Sequence, residues 1–441
     1  MSKPVLAIVG RPNVGKSTLF NRIAGDRIAI VEDTPGVTRD RIYADADWTR
    51  HRFTIIDTGG LDPDSDDIII KHTFRQAETA IEIADVILFV ADVKDGVMEA
   101  DKQVAAILRR AGKPVVLAVN KVDVTTKENM DVYEFYELAL GTPVPVSAGQ
   151  ALGLGELLDE IVKHFPDPDA AGGDDDETIK VAVTGKPNVG KSSLVNRLLG
   201  EERVIVSDIP GTTRDAIDTY VERGGRRYMF IDTAGLRRKS KIKENIERYA
   251  MVRAVAAVER CDVCILLIDA EQGVSEQDTK IAGIAHERGK ATIIVVNKWD
   301  LIEKDEKTMK EFSEKISVDL AFMPYAPHLF ISAKTGQRTH KLFDLIHTAY
   351  QNNAMRVSTG LLNDVIIEAT AINQPPADRG RALRIYYATQ VSVKPPTFVL
   401  FVNESERMHF SYKRFLENQI RQAFGFSCTP IHFILRNRDE K

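Results

Sequence analysis

The first part of the chain alternates short apolar runs with segments of helical spacing. Val5–Val9, Phe53–Ile56, Asp85–Val90 and Val115–Val119 have the length and apolar content of buried strands. Between them, Thr73–Ala84 and Asp101–Ala111 bring apolar residues round at helical spacing, which predicts helices. Such alternation predicts a mostly parallel sheet with helices on both faces. After about Tyr350 the rhythm changes. There the pattern predicts a helix over Thr359–Ala371, strands over Ala382–Val393 and Thr397–Val402, a helix over Tyr412–Phe424 and a strand over Pro430–Leu435.

The first rhythm occurs twice. "VLAIVGRPNVGKSTLFNRIAG" returns 175 residues later as "KVAVTGKPNVGKSSLVNRLLG". At the same offset "PGVTRD" (Pro35 to Asp40) meets "PGTTRD" (Pro210 to Asp215), and "IIDTGG" meets "FIDTAG". "AVNKVD" and "VVNKWD" follow, then "VSAG" and "ISAK". Motifs matched in order over so long a stretch mark a duplicated domain, not a solenoid, whose units run ~20–50 residues. Between the copies "FPDPDAAGGDDDET" carries six acidic residues and no basic one, the composition of a flexible linker. The expected organisation is one domain over 1–166, a linker over 167–178, a second domain over 179–350 and a third over 351–441.

Composition narrows the class. With 441 residues, 44% apolar and 28% charged, the chain has the makings of two or three ordinary globular domains. No apolar run reaches the ~18 residues of a membrane span, so no membrane partner is expected. With the first strand starting at Val5, no secretory signal is expected. A net charge of -5 speaks against nucleic acid, DNA included, as a partner of the chain as a whole. From Pro375 onward, however, 11 Lys and Arg stand against 6 Asp and Glu. That surplus suits an RNA-binding module, and equally a solvated face or one docked on acidic neighbours. Three cysteines are too few for a disulfide framework and point to a reducing compartment. Cys261 and Cys264 form a C-x-x-C, but Val263, Ile265, Leu266 and Leu267 around them read as a buried strand rather than a redox pair. No His or Cys spacing of a zinc site occurs.

The repeated motifs carry the chemistry. Gly10-x4-Gly15-Lys16-Ser17 and Gly185-x4-Gly190-Lys191-Ser192 fit the phosphate loop, each between a strand and a helix. The loops are Gly10, Arg11, Pro12, Asn13, Val14 and Gly15 in one copy, and Gly185, Lys186, Pro187, Asn188, Val189 and Gly190 in the other. They would wrap a β-phosphate with backbone N–H groups at a helix N-terminus. Lys16 and Lys191 would neutralise β- and γ-phosphate oxygens, and the Ser17 and Ser192 hydroxyls would ligate Mg²⁺. Asp57 and Asp232 sit where a carboxylate would hold the Mg²⁺ shell. Thr58, Gly59 and Gly60 follow one; Thr233, Ala234 and Gly235 follow the other. Gly60 and Gly235 would bond the γ-phosphate through backbone N–H, and Thr38 and Thr213 are candidate switch threonines that close on Mg²⁺. Segments of this kind order around a γ-phosphate and relax after hydrolysis.

Base choice falls to "NKVD" (Asn120, Lys121, Val122, Asp123) and "NKWD" (Asn297, Lys298, Trp299, Asp300). An aspartate accepts hydrogen bonds from both N1–H and the 2-amino group of guanine. Adenine offers neither and would leave the carboxylate unpaired. Asp123 and Asp300 therefore predict GTP and GDP as the nucleotides. Asn120 and Asn297 would brace the loop, and Lys121 and Lys298 would cover the base. Ser147-Ala148 and Ser332-Ala333 would reach the guanine carbonyl through backbone N–H.

These ordered motifs, duplicated, with an acidic linker and a small basic tail, closely resemble the bacterial EngA (Der) GTPases over essentially the whole chain. The resemblance implies an α/β protein of two tandem P-loop GTPase domains followed by a small α+β KH-like domain. It also implies a cytoplasmic, monomeric enzyme that hydrolyses GTP and acts in maturation of the large ribosomal subunit, with rRNA as a partner. A GTPase subunit driving an RNA-modification enzyme is the alternative, but the cofactor or reactive-cysteine module it needs is not visible. An ordinary KH module clamps nucleic acid with a G-x-x-G loop, and none follows Tyr350.

Leu61 and Leu236 follow the switch glycines, where many GTPases carry a glutamine that orients the attacking water. Asn13 and Asn188 are the candidates to make up for it. In related loops of the P-N-V-G-K-S form, the asparagine helps bind K⁺ beside the phosphates, in place of an arginine finger; the other reading is that it braces the loop. Finally, the second copy follows its switch glycine with "GLRRKSKIKENIERYAMVRA", where the first has "GLDPDSDDIIIKHTFRQAET". Arg237, Arg238, Lys239, Lys241 and Lys243 suit either a solvated loop or a nucleotide-controlled contact with rRNA.

Overall fold

Strands β1 (Val5–Val9), β3 (His51–Asp57), β4 (Val86–Asp92) and β5 (Val115–Asn120) arise where apolar runs can be covered on both faces. Consecutive side chains point to opposite faces of a sheet, and β1 shows the result. Val5, Ala7 and Val9 join one core with Ile87, Phe89, Val104 and Leu108, while Leu6 and Ile8 join another with Leu19, Phe53, Leu157 and Ile161. The computed structural model describes residues 3–24, 43–58, 77–78, 80–123, 130–166, 178–200, 205–206, 218–232, 246–303, 305, 307–375, 377–378 and 381–437.

The chain divides into two compact units, Met1–Asp176 with Ser240–Glu259, and Glu177–Lys239 with Arg260–Lys441. The first is built on a six-stranded sheet of order β2-β3-β1-β4-β5-β6, where β2 is Tyr43–Trp48 and β6 is Val144–Pro145. All its pairings are parallel except the β2–β3 hairpin. That antiparallel edge strand escaped the sequence reading because "YADADW" is too polar to look like a buried strand; only Ala44 and Ala46 are buried. Of the expected helix over 73–84, residues 73–76 and 79 lie outside the described residues and 80–83 are helical. The helix Ile246–Arg260 follows the second switch in sequence, yet residues 246–259 group with the first unit. There Val252 and Ala256 join the core that holds Ala77 and Ala80, and Arg253 pairs with Glu82.

Among the described residues the second unit repeats the sheet with one more strand, in the order β13-β12-β11-β7-β10-β9-β8. Its members are β7 (Ile179–Thr184), β8 (Ile205–Val206), β9 (Thr219–Arg223), β10 (Arg226–Ile231), β11 (Val263–Asp269), β12 (Ala291–Asn297) and β13 (His328–Phe330). Cys264 lies on β11 and Cys261 just before it, both buried and in no disulfide, in the place of core residues. Burial pushes the Cys264 thiol up to about 11, away from thiolate chemistry.

The same unit carries the tail. Its strands β16 (Ile385–Ser392), β17 (Thr397–Val402) and β18 (His432–Asn437) form one sheet, antiparallel then parallel. Helices Thr359–Ile372 and Phe410–Phe424 pack Leu362, Ile366, Leu416 and Ile420 against Ala388, Phe398, Leu400 and Val402. Two expected strand starts move. The strand predicted from Ala382 starts at Ile385, because Arg381–Ala382 (β15) pairs with Ala377–Asp378 (β14) instead. The strand predicted from Pro430 starts at His432, since proline has no N–H for the ladder.

Candidate functional site

Both phosphate loops leave the C-terminal end of a central strand and enter a helix, Lys16–Ala24 in one copy and Lys191–Leu199 in the other. Each turn demands glycine. A Cβ on Gly15 would lie 2.2 Å from Asn120 Nδ2, and one on Gly190 2.3 Å from Asn297 Nδ2. Asn13 and Asn188 both take the left-handed conformation with φ 64°, which asparagine tolerates better than most residues. Both asparagines are exposed, whereas Val14 and Val189 are buried.

Lys16 Nζ donates to the carbonyls of Gly10 and Arg11 at 2.7 and 2.6 Å. Lys191 Nζ does the same to Gly185 and Lys186 at 2.6 and 2.7 Å. Burial pushes both ammonium groups down to about 8, with Asp57 opposing the shift at Lys16 and Asp278 at Lys191. The Arg11 side chain does not face the lysine. It is turned inward to Asp101 and Asp95.

Ser17 Oγ donates to Asp57 Oδ2 at 3.0 Å, so the two candidate Mg²⁺ groups of the first copy meet. A hydroxyl and a carboxylate side by side are hard oxygen donors, which fits Mg²⁺ held by few protein oxygens together with phosphate. The Thr58 hydroxyl is buried and donates to the Ile8 carbonyl at 2.5 Å. Asp232 follows β10 in the left-handed conformation with φ 58°. Thr38, Gly59, Gly60, Thr213, Thr233, Ala234, Gly235, Leu61, Leu236 and the basic residues Arg237 to Lys243 lie outside the described residues.

The base motifs end β5 and β12 and are wired to the phosphate loops in the same way. Asn120 Nδ2 donates to the Val14 carbonyl at 2.8 Å while its Oδ1 accepts from the Ala148 N–H at 2.9 Å. Asn297 repeats this with Val189 at 2.7 Å and Ala333 at 2.9 Å. Asn120, Ser147 and their counterparts Asn297 and Ser332 are all buried. Lys121 and Lys298, both left-handed, pair with Asp92 and Asp269 at the ends of β4 and β11. Asp123 receives Ser147 Oγ at 3.1 Å and Lys94 Nζ at 3.0 Å, and the Lys94 hydrogen bond holds its carboxyl below the usual range. The Val122 and Trp299 side chains are core residues, Trp299 against Phe330 and Phe312, so only their backbone stands at the site.

Some residues of the site were not singled out from sequence. Arg22 donates to the Ala148 and Gly149 carbonyls at 3.1 and 2.9 Å, and Arg197 to Ala333 and Lys334 at 3.3 and 2.5 Å. They fix the Ser-Ala loops from below. Their signal was available, since "FNRIAG" and "VNRLLG" place both arginines at the 175-residue offset.

Two phosphate loops, each bound by a buried asparagine to an N-K-x-D loop, define a GTP-hydrolysing enzyme of the P-loop class with a duplicated GTPase domain. A family model described as a 50S ribosome-binding GTPase matches residues 5–121 and 180–298. Another, described as the KH-domain-like C-terminal part of EngA bacterial GTPase enzymes, matches residues 356–436. A protein called GTPase Der from Agathobacter rectalis is 63% identical over 440 residues, covering 100% of both chains. One of the same name from Lachnoclostridium phytofermentans is 61% identical over 440 residues, again covering 100% of both. The chain belongs to the EngA (Der) family of GTPases.

Proposed function

We propose that the two domains, over 1–166 and 179–350, are GTP-driven switches that act, with the 351–441 domain, in assembly of the large ribosomal subunit. The observation that carries this reading is the duplicated Asn120 and Asn297 brace. It ties phosphate loop, base loop and Ser-Ala loop together in each copy, which supports reading them as a guanine cradle. Two intact cradles suit two working sites rather than one site and a relic. The ribosomal part rests on the family description, on the basic balance of the tail and on the basic stretch Arg237 to Lys243.

In this reading Lys16 and Lys191, held by their loop carbonyls, turn their remaining donor to phosphate oxygens. Ser17 with Asp57, and Ser192 with Asp232, hold Mg²⁺, which neutralises charge on the phosphates when bound. Thr38 with Gly60, and Thr213 with Gly235, sense the γ-phosphate. With leucine after each switch glycine, we assign Asn13 and Asn188 to a K⁺ site that supplies positive charge to the transition state. Their exposed, left-handed placement at the loop rim supports that part. Among the described residues no helix is long and apolar enough to cross a membrane, and a monomer working in the cytoplasm accords with this reading.

Co-sedimentation of the purified chain with ribosomal particles tests the function. Binding to large subunits should require GTP or a non-hydrolysable analogue, weaken with salt, and fall when Arg237, Arg238 and Lys239 become alanine. Binding that is equal in GDP and GTP would overturn it.

A further inference from the structure

A fully buried carboxylate stands behind each phosphate loop. Asp101 is the third residue of the helix Glu99–Ala111 and has 0% exposure. Its two oxygens accept from Arg11 Nε at 3.0 and 3.1 Å, and Oδ2 also accepts the Met98 N–H at 3.1 Å. In the second copy Asp278 is the third residue of the helix Glu276–Glu287, again with 0% exposure. It accepts from Ser275 Oγ at 2.6 Å and Ser275 N–H at 3.1 Å, and from the Lys186 backbone N–H at 3.4 Å.

Burying a carboxylate is costly unless it is paired and hydrogen-bonded, and capping a helix does not require full burial. What the two aspartates share is their reach. Each binds the second residue of a phosphate loop, the residue whose carbonyl holds the loop lysine: Arg11 for Lys16, Lys186 for Lys191. The means differ. The first loop is tied through a buried side chain, the second through a backbone amide.

We propose that Asp101 and Asp278 are positioning residues that set the phosphate-loop lysines, through the Arg11 guanidinium in the first site and through the Lys186 backbone in the second. The first site then depends on the side chain at this loop position far more than the second does. The β-phosphate is bound in ground state and transition state alike, so the loss should fall on binding rather than on turnover at saturation. The inference rests on both loops binding nucleotide. Wild-type binding at each site tests that reading separately.

The experiment uses the full chain with the other site disabled by Lys191→Ala or Lys16→Ala. GTP and GDP affinity, KM, kcat and nucleotide-free melting are measured together. Asp101→Asn and Asp278→Asn should each weaken GTP and GDP about tenfold at their own site, with kcat changed less than threefold. Arg11→Leu should weaken the first site at least fivefold more than Lys186→Leu weakens the second, and Arg11→Lys should recover most of the loss. If Asp101→Asn does not fold, Arg11→Leu and Arg11→Lys still decide the question. Variants that melt earlier but bind both nucleotides with unchanged affinity would reduce the aspartates to helix caps. Equal losses from Arg11→Leu and Lys186→Leu would overturn the division between the sites.

Discussion

Asn120 donates its side-chain amide to the Val14 carbonyl at 2.8 Å, across 106 residues of sequence. With the Ala148 N–H on its other end, this one side chain joins three loops that must act together. Asn120→Ala would leave two buried backbone groups without their partner, costing about 2 kcal/mol of stability in the first unit. GTP and GDP should both bind at least tenfold more weakly at the first site, and Asn297→Ala should do the same at the second. Calorimetric titration with the other site disabled checks both. Wild-type affinity in either variant would contradict the bracing role.

The carboxylates of Asp123 and Asp300 are assigned to guanine N1–H and the 2-amino group. Asp123→Asn or Asp300→Asn should shift that site from GTP toward xanthosine triphosphate. Losing a charge-assisted contact should weaken GTP by ~1.5–3 kcal/mol. Competition between GTP, ATP and xanthosine triphosphate at each isolated site reads the change. Equal binding of ATP and GTP by the wild-type chain would refute the base assignment.

How far the sequence reaches is visible in these residues. The cradle was legible because duplication printed each motif twice, at the ends of apolar runs that only a covered strand can use. The hairpin strand Tyr43–Trp48 was not, since an edge strand keeps one face polar and loses the apolar signature. Nor was the tie from Arg11 to Asp101, which spans 90 residues and joins two charged side chains that look solvated one at a time. Thr58 was no more legible: its hydroxyl is spent on the Ile8 carbonyl, a contact across 50 residues that the motif alone does not announce.

If a monovalent cation beside Asn13 and Asn188 replaces the missing glutamine, turnover should be faster in K⁺ than in Na⁺ at equal ionic strength. Asn13→Ala, or Asn188→Ala with the first site disabled, should abolish that difference and leave GTP affinity largely intact, as expected of an interaction made mainly in the transition state. Steady-state phosphate release in the two salts is the measurement. Identical rates would leave both asparagines as loop braces.

The second unit should be acid-sensitive, and His286 says why. Its Nδ1 lies 2.8 Å from the Tyr325 hydroxyl, its ring stacks on Tyr325 at 5.8 Å and meets Phe322 edge-on at 5.8 Å. Burial, then the charges of His432 and Arg421, push it down to about 4. His432 is also lowered, by burial first and then by Lys413, with Glu417 opposing, while Arg421 lies 5.0 Å over the Tyr325 ring. These groups join the helix Glu276–Glu287 to the tail helix Phe410–Phe424 and to β18. The folded unit therefore keeps His286 neutral in a range where the unfolded chain, near 6.5, takes up a proton. Its contribution to stability is present above pH 6.5 and is lost as pH falls toward 4, on the order of 3 kcal/mol in full. The melting temperature of the second unit, followed in the intact protein by the buried Trp299, should fall steadily between pH 7 and 4.5. His286→Gln keeps a hydrogen-bonding group for Tyr325 but cannot titrate, so it should flatten that slope. A slope unchanged in His286→Gln would assign the acid sensitivity to other groups.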